Sequence, residues 1–531
     1  MQTQNLIGAA WLVAHYGVDL VLPLSVQSRI GGRRRTDQAD DITTETYPEG
    51  MRPSASLRGH LTFHLKHEVP HLEMLSRLFD RIDTSELLAW IEDEPTGQYA
   101  RKAGFWYEWL TGRSLDIQVP IAGAYVDVLD DMQVVAASPG LSQANRRWRV
   151  RDNLPGSPAF CPVVRKTSDV QLALAVDLAG LLNDLALEFG EDLLMRSAVW
   201  MTLRESKSSF AIEGEAQQVD RIQRFADVLA RRTGTGEWPL QQAPLAQLQS
   251  EILGQRTTLQ RLGLRLSPVF VGEVARYQEV VHYVAPPAEE LQAMLDGLAL
   301  FFSRTQGQSA VMRSAVVAFG FVYIHPLADG NGRMHRFLVN DVLRRDGQVK
   351  EPMILPVSSL ITSDAAERRS YDRILDTISG PLMGTLLGTY RFGATPTAYP
   401  DGIRSNFEFS GALIARPVWR YLDLTGHVVY LANVLVRTVR DDMRQESRYL
   451  QRHAKARAAI KDVVEMPDMQ IDRVIRSVQA NEGKLSKVLA KELPLLAEPG
   501  IWEAIVEATV QAFKEHTSSH SQIATSLRSS R

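Results

Sequence analysis

The twelve residues His325-Pro-Leu-Ala-Asp329-Gly-Asn-Gly-Arg333-Met-His-Arg336 hold an imidazole, a carboxylate, a glycine-rich turn and two fixed positive charges. Histidine titrates near neutrality, so His325 can accept the proton of an attacking hydroxyl. Asp329 is a hard oxygen ligand of the kind Mg²⁺ takes in small number beside substrate phosphates. A Gly-Asn-Gly sequence opening a helix leaves backbone N–H groups free at the positive end of the helix dipole, a seat for an anion. Gly330, Asn331 and Gly332 would shape that seat, and Arg333 and Arg336, three apart, would share a face beside it. This inventory suits displacement at phosphorus, which needs positioning and charge neutralisation more than covalent catalysis. A glycine-rich turn with an incidental histidine and surface arginines is the bland alternative, and it explains none of this convergence. To hold the loop, the apolar run Ala310 to Ile324 before it and the segment Arg333 to Arg345 after it are expected to be helices.

The loop resembles the motif of the Fic (Fic/Doc) family, His-Pro-Phe-x-Asp/Glu-Gly-Asn-Gly-Arg-x-x-Arg. It departs only at Leu327, where phenylalanine is usual. Fic enzymes transfer AMP from ATP to a protein Ser, Thr or Tyr hydroxyl. The resemblance implies His325 as catalytic base and Asp329 as holder of Mg²⁺ between the α- and β-phosphates. It also implies Arg333 on the β-phosphate and Arg336 on the γ-phosphate. The fold it implies is mainly α, a multi-helix Fic domain with a short β-hairpin flap, flanked by an N-terminal α+β extension and a C-terminal helical region.

Upstream, Ser208-Ser209-Phe-Ala-Ile-Glu213-Gly214 fits the inhibitory pattern Ser/Thr-x-x-x-Glu-Gly/Asn that accompanies many Fic domains. Leu, Ala, Val and Ile recur at helical spacing from Ser168 to Lys207, which places Glu213 near a helix C-terminus with Gly214 as its stop. In the family this glutamate pairs with the second motif arginine, here Arg336, and fills the fork that would otherwise grip the γ-phosphate. Ser209, Glu213 and Gly214 are thus expected to be inhibitory, in a self-restrained class II arrangement with the restraining segment before the core. An exposed helix end would also produce this short pattern.

The β-branched and aromatic segment Val269 to Val284 reads as a short hairpin, followed by a helix from about Ala288. The resemblance makes it the flap that pairs with the target backbone and covers the nucleotide, and Val271 and Gly272 match its pattern. A plain buried hairpin is the competing reading. Tyr371, in Arg369-Ser-Tyr371-Asp-Arg-Ile-Leu375, resembles the family tyrosine of the adenine site; a core tyrosine competes equally.

With 531 residues, 45% hydrophobic and 23% charged, the chain is long enough for about three domains of an ordinary soluble protein. A net charge of -3 argues against wholesale nucleic-acid attraction. One cysteine, Cys161, excludes an internal disulfide framework and suits the reducing cytoplasm. The apolar stretch Leu6 to Val13 is too short to span a bilayer, so no membrane partner is expected. The expected organisation is an N-terminal α+β extension over 1–160, the Fic domain with its inhibitory helix over 165–390, a C-terminal helical domain over 405–515 and a disordered tail over 516–531. Gly384 to Ser405 reads as turn-rich connector. His60, His64, His67 and His71 fall near helical spacing, but Pro70 interrupts them and a metal stripe is not expected. A helix-turn-helix near Ile471 to Leu493 lacks a clear recognition helix.

The sequence therefore points to a protein adenylyltransferase that uses ATP and Mg²⁺, acts on a hydroxyl-bearing protein target or on itself, and is restrained by Glu213. Removal of AMP, or transfer of another nucleotide by the same site, is the nearest enzymatic rival. From a different class, a DNA-binding regulator with a secondary Fic fold is the alternative, although nucleic acid is not the expected partner. Self-association is left open.

Overall fold

The computed structural model describes residues 5–39, 42–255, 257–275 and 278–514. The expected tail over 516–531 lies outside the described residues, as does the hairpin tip at Arg276 and Tyr277. Among the described residues 56% are helical, with a few small sheets, so the class is mainly α. It divides into two compact units, one of Met1–Ala179 with Thr202–Val436, the other of Gly180–Met201 with Arg437–Arg531. Among the described residues no single helix is long and apolar enough to cross a membrane.

The larger unit opens with β1 (Leu6–Ile7), α1 (Gly8–Tyr16), β2 (Val26–Gly31), β3 (Arg35–Ala39) and β4 (Ile42–Pro48). These strands form a sheet in the order β1-β2-β4-β3, parallel only between β2 and β4. Four helices follow: α2 (Leu57–His67), α3 (Leu72–Arg81), α4 (Thr84–Asp93) and α5 (Gln98–Thr111). Pro70 falls in the break between α2 and α3, where a helix interior would not accept it. Helix α5 ends on Gly112 at φ 68°, a left-handed cap that costs glycine little. It packs Phe105 and Trp106 into an aromatic core with the fully buried Trp148. A three-stranded sheet of β5 (Val126–Asp127), β6 (Gln143–Asn145) and β7 (Val150–Asp152) completes this part, with Cys161 buried in the same core. The four histidines form no metal cluster among the described residues. His60 Nδ1 accepts the Gly8 N–H (3.2 Å), while His64 Nδ1 donates to Glu68 (2.7 Å).

The segment expected to be one helical run holds three helices: α6 (Ser168–Leu174), α7 (Leu178–Phe189) and α8 (Glu191–Ile212), broken at Ala175–Asp177 and Gly190. Next come α9 (Val219–Arg232), α10 (Gln242–Leu253), the hairpin β8 (Phe270–Ala275) and β9 (Gln278–Val284), and α11 (Leu291–Arg304). At the centre lie α12 (Ala310–Ile324) and α13 (Asn331–Arg345). Helix α12 is apolar on nearly every side and almost wholly buried, as a helix without a polar stripe must be. Helix α13 is equally buried although it carries charges, and several of its buried polar groups find partners. Asp341 accepts from Arg345 (2.8 Å) and the Gly234 N–H (2.7 Å), and His335 donates to the Ala318 carbonyl (2.7 Å).

Two further helices, α14 (Val357–Ile361) and α15 (Ala365–Thr385), precede a second hairpin, β10 (Tyr390–Ala398) and β11 (Arg404–Phe409). That hairpin occupies much of the stretch read from sequence as turn-rich connector. Its Phe392 and Phe407 rings meet Phe270 of β8 at 5.3 and 4.8 Å between centroids. The unit closes with α16 (Ala412–Arg420) and α17 (Thr425–Arg437).

The smaller unit is helical, with a core of its own among α18 (Arg444–Val463), α19 (Asp468–Ala480), α20 (Lys487–Glu492) and α21 (Ile501–Lys514). Ile460, Ile471, Val474, Ile475 and Ile505 are fully buried there.

Candidate active site

His325 ends α12 as its C-cap, in the left-handed region at φ 50° and ψ 55°. A non-glycine residue holds that conformation only when its surroundings fix it. Its own N–H donates to the Phe321 carbonyl (2.9 Å), and its carbonyl accepts from Arg265 Nε (2.8 Å). Nδ1 lies 3.1 Å from the Val322 carbonyl. A carbonyl can only accept, so Nδ1 carries the proton and Nε2 keeps its lone pair. Burial, with Arg265 nearby, lowers the imidazole pKa to about 4. His325 is thus a neutral group whose free nitrogen can take a proton.

Past His325 the loop is fastened at Leu327 by the Asn331 side chain. The Leu327 N–H donates to Asn331 Oδ1 (3.0 Å), and Asn331 Nδ2 donates back to the Leu327 carbonyl (2.8 Å). Leu327 itself is fully buried, which suits any large apolar residue at that position. Gly330 turns the chain into α13 at φ 92°, a conformation costly for other residues. Asp329 stays 56% exposed at the loop's rim, and its carbonyl accepts from Gln249 Nε2 (2.9 Å).

Arg333 and Arg336 are 5% and 4% exposed on the first turns of α13, and both face Glu213. Glu213 Oε1 pairs with Arg336 Nη2, and Oε2 lies 3.2 Å from Arg333 Nε. Arg333 Nη2 also reaches Asp329 Oδ1 at 3.1 Å, and its guanidinium sits 5.2 Å from the Phe210 ring centre. Arg336 Nε donates to Ser209 Oγ and Nη2 to the Ser209 carbonyl (3.3 Å). Glu213 lies just past the end of α8, where Gly214 at φ 76° stops the helix. From α15, Arg368 donates to the Ile212 carbonyl (2.9 Å). The buried Glu205 accepts from Ser358 N (2.7 Å) and Oγ (2.6 Å), which fixes α8 against the start of α14. At Gly332 an added Cβ would run into Glu213 Oε1 and stand 3.0 Å from Arg336 Nη2, so the carboxylate lies directly over the helix start.

Val271 and Gly272 occupy β8 on either side of an irregularity in its pairing, Val271 opposite Tyr283 and Gly272 opposite Val281. Val271 is 41% exposed. The Tyr283 hydroxyl donates to the Tyr323 carbonyl (2.6 Å), which ties the hairpin to α12 two residues before His325. Tyr371 is buried on α15, its ring beside His335 and Tyr430 at 6.3 Å from each, and it shares a small cleft with Arg336. Burial raises its pKa.

Two residues that sequence reasoning passed over hold this corner. Arg265, 1% exposed, donates to the His325 carbonyl, to the Ser267 carbonyl (2.9 Å) and to the Pro286 carbonyl (2.5 Å). Asp401, fully buried, accepts from Leu266 N (2.7 Å), Ser267 N (2.9 Å) and Ser267 Oγ (2.8 Å). Neither carries a local sequence signal, because every partner but one is backbone and most are distant in sequence.

A neutral imidazole beside a helix start, with two buried guanidinium groups on the first turns of that helix, could together receive a phosphorylated anion. Residues 239–343 match the model of the Fic/DOC family, and the chain carries a Fic/DOC family domain there. A curated relative, protein adenylyltransferase fic-1 of Caenorhabditis briggsae, is 30% identical over 117 residues, spanning 22% of this chain and 21% of that protein. The chain thus spans about a fifth of the relative it matches. The crystal structure of a Fic family protein from Desulfovibrio desulfuricans G20 is similar at 16% identity, covering 59% of this chain and 87% of that one. Its TM-score is 0.36, too low for structural inference.

Proposed function

We propose that this protein is a protein adenylyltransferase, which moves AMP from ATP to a Ser, Thr or Tyr hydroxyl of a protein target, itself included, and which Glu213 restrains. The observation that carries the reading is a single carboxylate, Glu213, lodged between the two buried guanidinium groups of the loop that bears His325. In the proposed reaction the target hydroxyl attacks the α-phosphorus of ATP. The new bond joins that oxygen to phosphorus, the bond to the β-phosphate oxygen breaks, and pyrophosphate leaves. His325 Nε2 takes the hydroxyl proton as the bond forms. Arg333 and Arg336 would hold the β- and γ-phosphates, and the N–H groups at Gly330 to Gly332 would line the anion seat. Bound Mg²⁺ would supply charge neutralisation along the phosphate chain. Asp329 fits it, being an exposed carboxylate at the rim, where phosphate and water can supply the remaining oxygens.

Restraint by Glu213 follows from the same geometry. Its oxygens already occupy the donors that the terminal phosphates need, so ATP must either displace it or bind with its phosphates out of line. The exposed Val271 and the strand that carries it would take an extended target segment as an added strand. The buried Cys161 suits a reducing compartment, and the cytoplasm is the proposed location.

The deciding experiment incubates wild type, Glu213→Gly and His325→Ala with Mg²⁺ and each nucleoside triphosphate in turn, followed by intact-mass analysis. A gain of one AMP from ATP in Glu213→Gly, absent in His325→Ala, is expected. Labelling by another nucleotide alone, or labelling that survives His325→Ala, overturns the reading.

A further inference from the structure

We propose that Arg265 is the positioning residue of the site, joining the two roots of the β8–β9 hairpin to the backbone of His325 so that target strand and base are held as one piece. The inference rests on the adenylyltransferase reading above.

Arg265 lies on a seam of chain beside the loop. Leu264 pairs with Leu327, and the Arg265 N–H donates to the Pro326 carbonyl (2.9 Å). Its guanidinium then spreads three ways, to the carbonyls of His325, of Ser267 before β8, and of Pro286 after β9. A planar fork with five donors can serve three carbonyls at once, whereas a lysine ammonium cannot reproduce that planar spread. The seam is closed from its other side by Asp401, in the turn between β10 and β11, whose carboxylate holds Leu266 and Ser267. Its carbonyl accepts from the Gln260 N–H (3.0 Å), so the turn is fixed at two points.

Burying a guanidinium among neutral carbonyls is costly, and desolvation lowers the Arg265 pKa to about 10. The bond to His325 offsets that cost at a second strained place, because His325 holds a left-handed backbone that needs outside support. A strand seated on β8 and the imidazole therefore share one rigid anchor, which fixes the distance between hydroxyl and base. Positioning of this kind is worth up to about a hundredfold in rate for a displacement near 1 Å.

After burial, the charge of Arg265 also lowers the His325 pKa. The elements meeting at this corner carry other titratable groups: Glu273 on β8, Glu279, His282 and Tyr283 on β9, Arg313 and Tyr323 on α12, Asp329 in the loop and Asp401 in the β10–β11 turn. Burial holds both phenols neutral.

The test uses the full chain in the released Glu213→Gly background, with Arg265→Lys and Arg265→Met added singly. Rate against pH and KM for ATP are measured, and thermal unfolding shows whether each variant is folded. Both variants are expected to lose about 10- to 100-fold in kcat with KM for ATP within threefold of the parent. Arg265→Lys keeps the charge and should leave the acid limb of the rate profile in place, whereas Arg265→Met should move it to higher pH. Folded variants with the parent's kcat and limb overturn the proposal, as does an equal loss in both with no movement of the limb. If Arg265→Met does not fold, Asp401→Asn serves, with a rise in KM for a peptide target expected and an unchanged value overturning the claim. Failure of Glu213→Gly itself to label with ATP strikes the adenylyltransferase reading instead, so the two failures are distinguishable.

Discussion

Replacing Glu213 by glycine should raise ATP-dependent labelling by roughly 30- to 150-fold. Two guanidinium groups meet one carboxylate, and a charge pair 3.2 Å apart attracts by roughly 5 kcal/mol at the effective dielectric of about 20 that suits protein sites. Solvation opposes this. The Glu213 side chain is 26% exposed and would be well hydrated if released, so the net contact should be worth about 2–3 kcal/mol, the scale of hydrogen bonds to charged groups. At 1.4 kcal/mol per tenfold, the closed arrangement outnumbers the open one by roughly 30- to 150-fold. Removing the carboxylate removes that barrier and leaves Arg333 and Arg336 buried with fewer partners, which lowers stability until an anion replaces it. Two measurements follow: labelling rate by intact mass, and the rise in melting temperature on adding ATP, both larger in Glu213→Gly than in wild type. Glu213→Gln, which keeps size without charge, should fall between them. Equal labelling in all three proteins, within a factor of two, would refute the reasoning.

Other outcomes follow from the same geometry. His325→Ala should abolish transfer, a loss of at least about a hundredfold, yet retain stabilisation by ATP, since phosphates are held elsewhere in the loop; loss of both effects would remove the histidine from the role of base. Wild-type stability should fall as pH drops from 6.5 towards 4. His335 and His427 are held neutral by burial, with pKa values lowered to about 4 and about 3, so unfolding takes up protons in that window and the stability present above 6.5 is lost below it. A urea midpoint that stays level between pH 7 and pH 5 would contradict this. Gly272→Ala places a Cβ against the Val280 carbonyl and must shift the hairpin, so modification of a target should drop several-fold while ATP binding holds; unchanged target labelling would separate the hairpin from docking.

Much of this site is legible because its chemistry is local. The apolar run ending at Ile324, the Gly-Asn-Gly turn and the helix from Asn331 to Arg345 are written within a few dozen residues, so periodicity and turn chemistry suffice. Glu213 lies more than a hundred residues from Arg336, and only the resemblance to a family pattern suggests their meeting. Arg265 and Asp401 lie beyond such reading. Their partners are chiefly backbone groups brought near by tertiary packing, and side-chain patterning says nothing of where a carbonyl will be. The β10–β11 hairpin reads as connector for a related reason. Glycine, proline and threonine dilute its alternation, and much of what holds it is a cluster of rings contributed partly by Phe270 on another strand.

The amide of Asn331 has a consequence for how this loop could vary. By satisfying both polar groups of Leu327, it spares the first amides of α13 from any internal duty. An aspartate there would offer two acceptors to a carbonyl that requires a donor, and it would set a negative charge beside the seat proposed for a polyanion. An alanine would leave a buried peptide unit unmet on both sides. The loop's shape at Leu327 is therefore set by one carboxamide before any ligand arrives, and no isosteric replacement among the common amino acids preserves it.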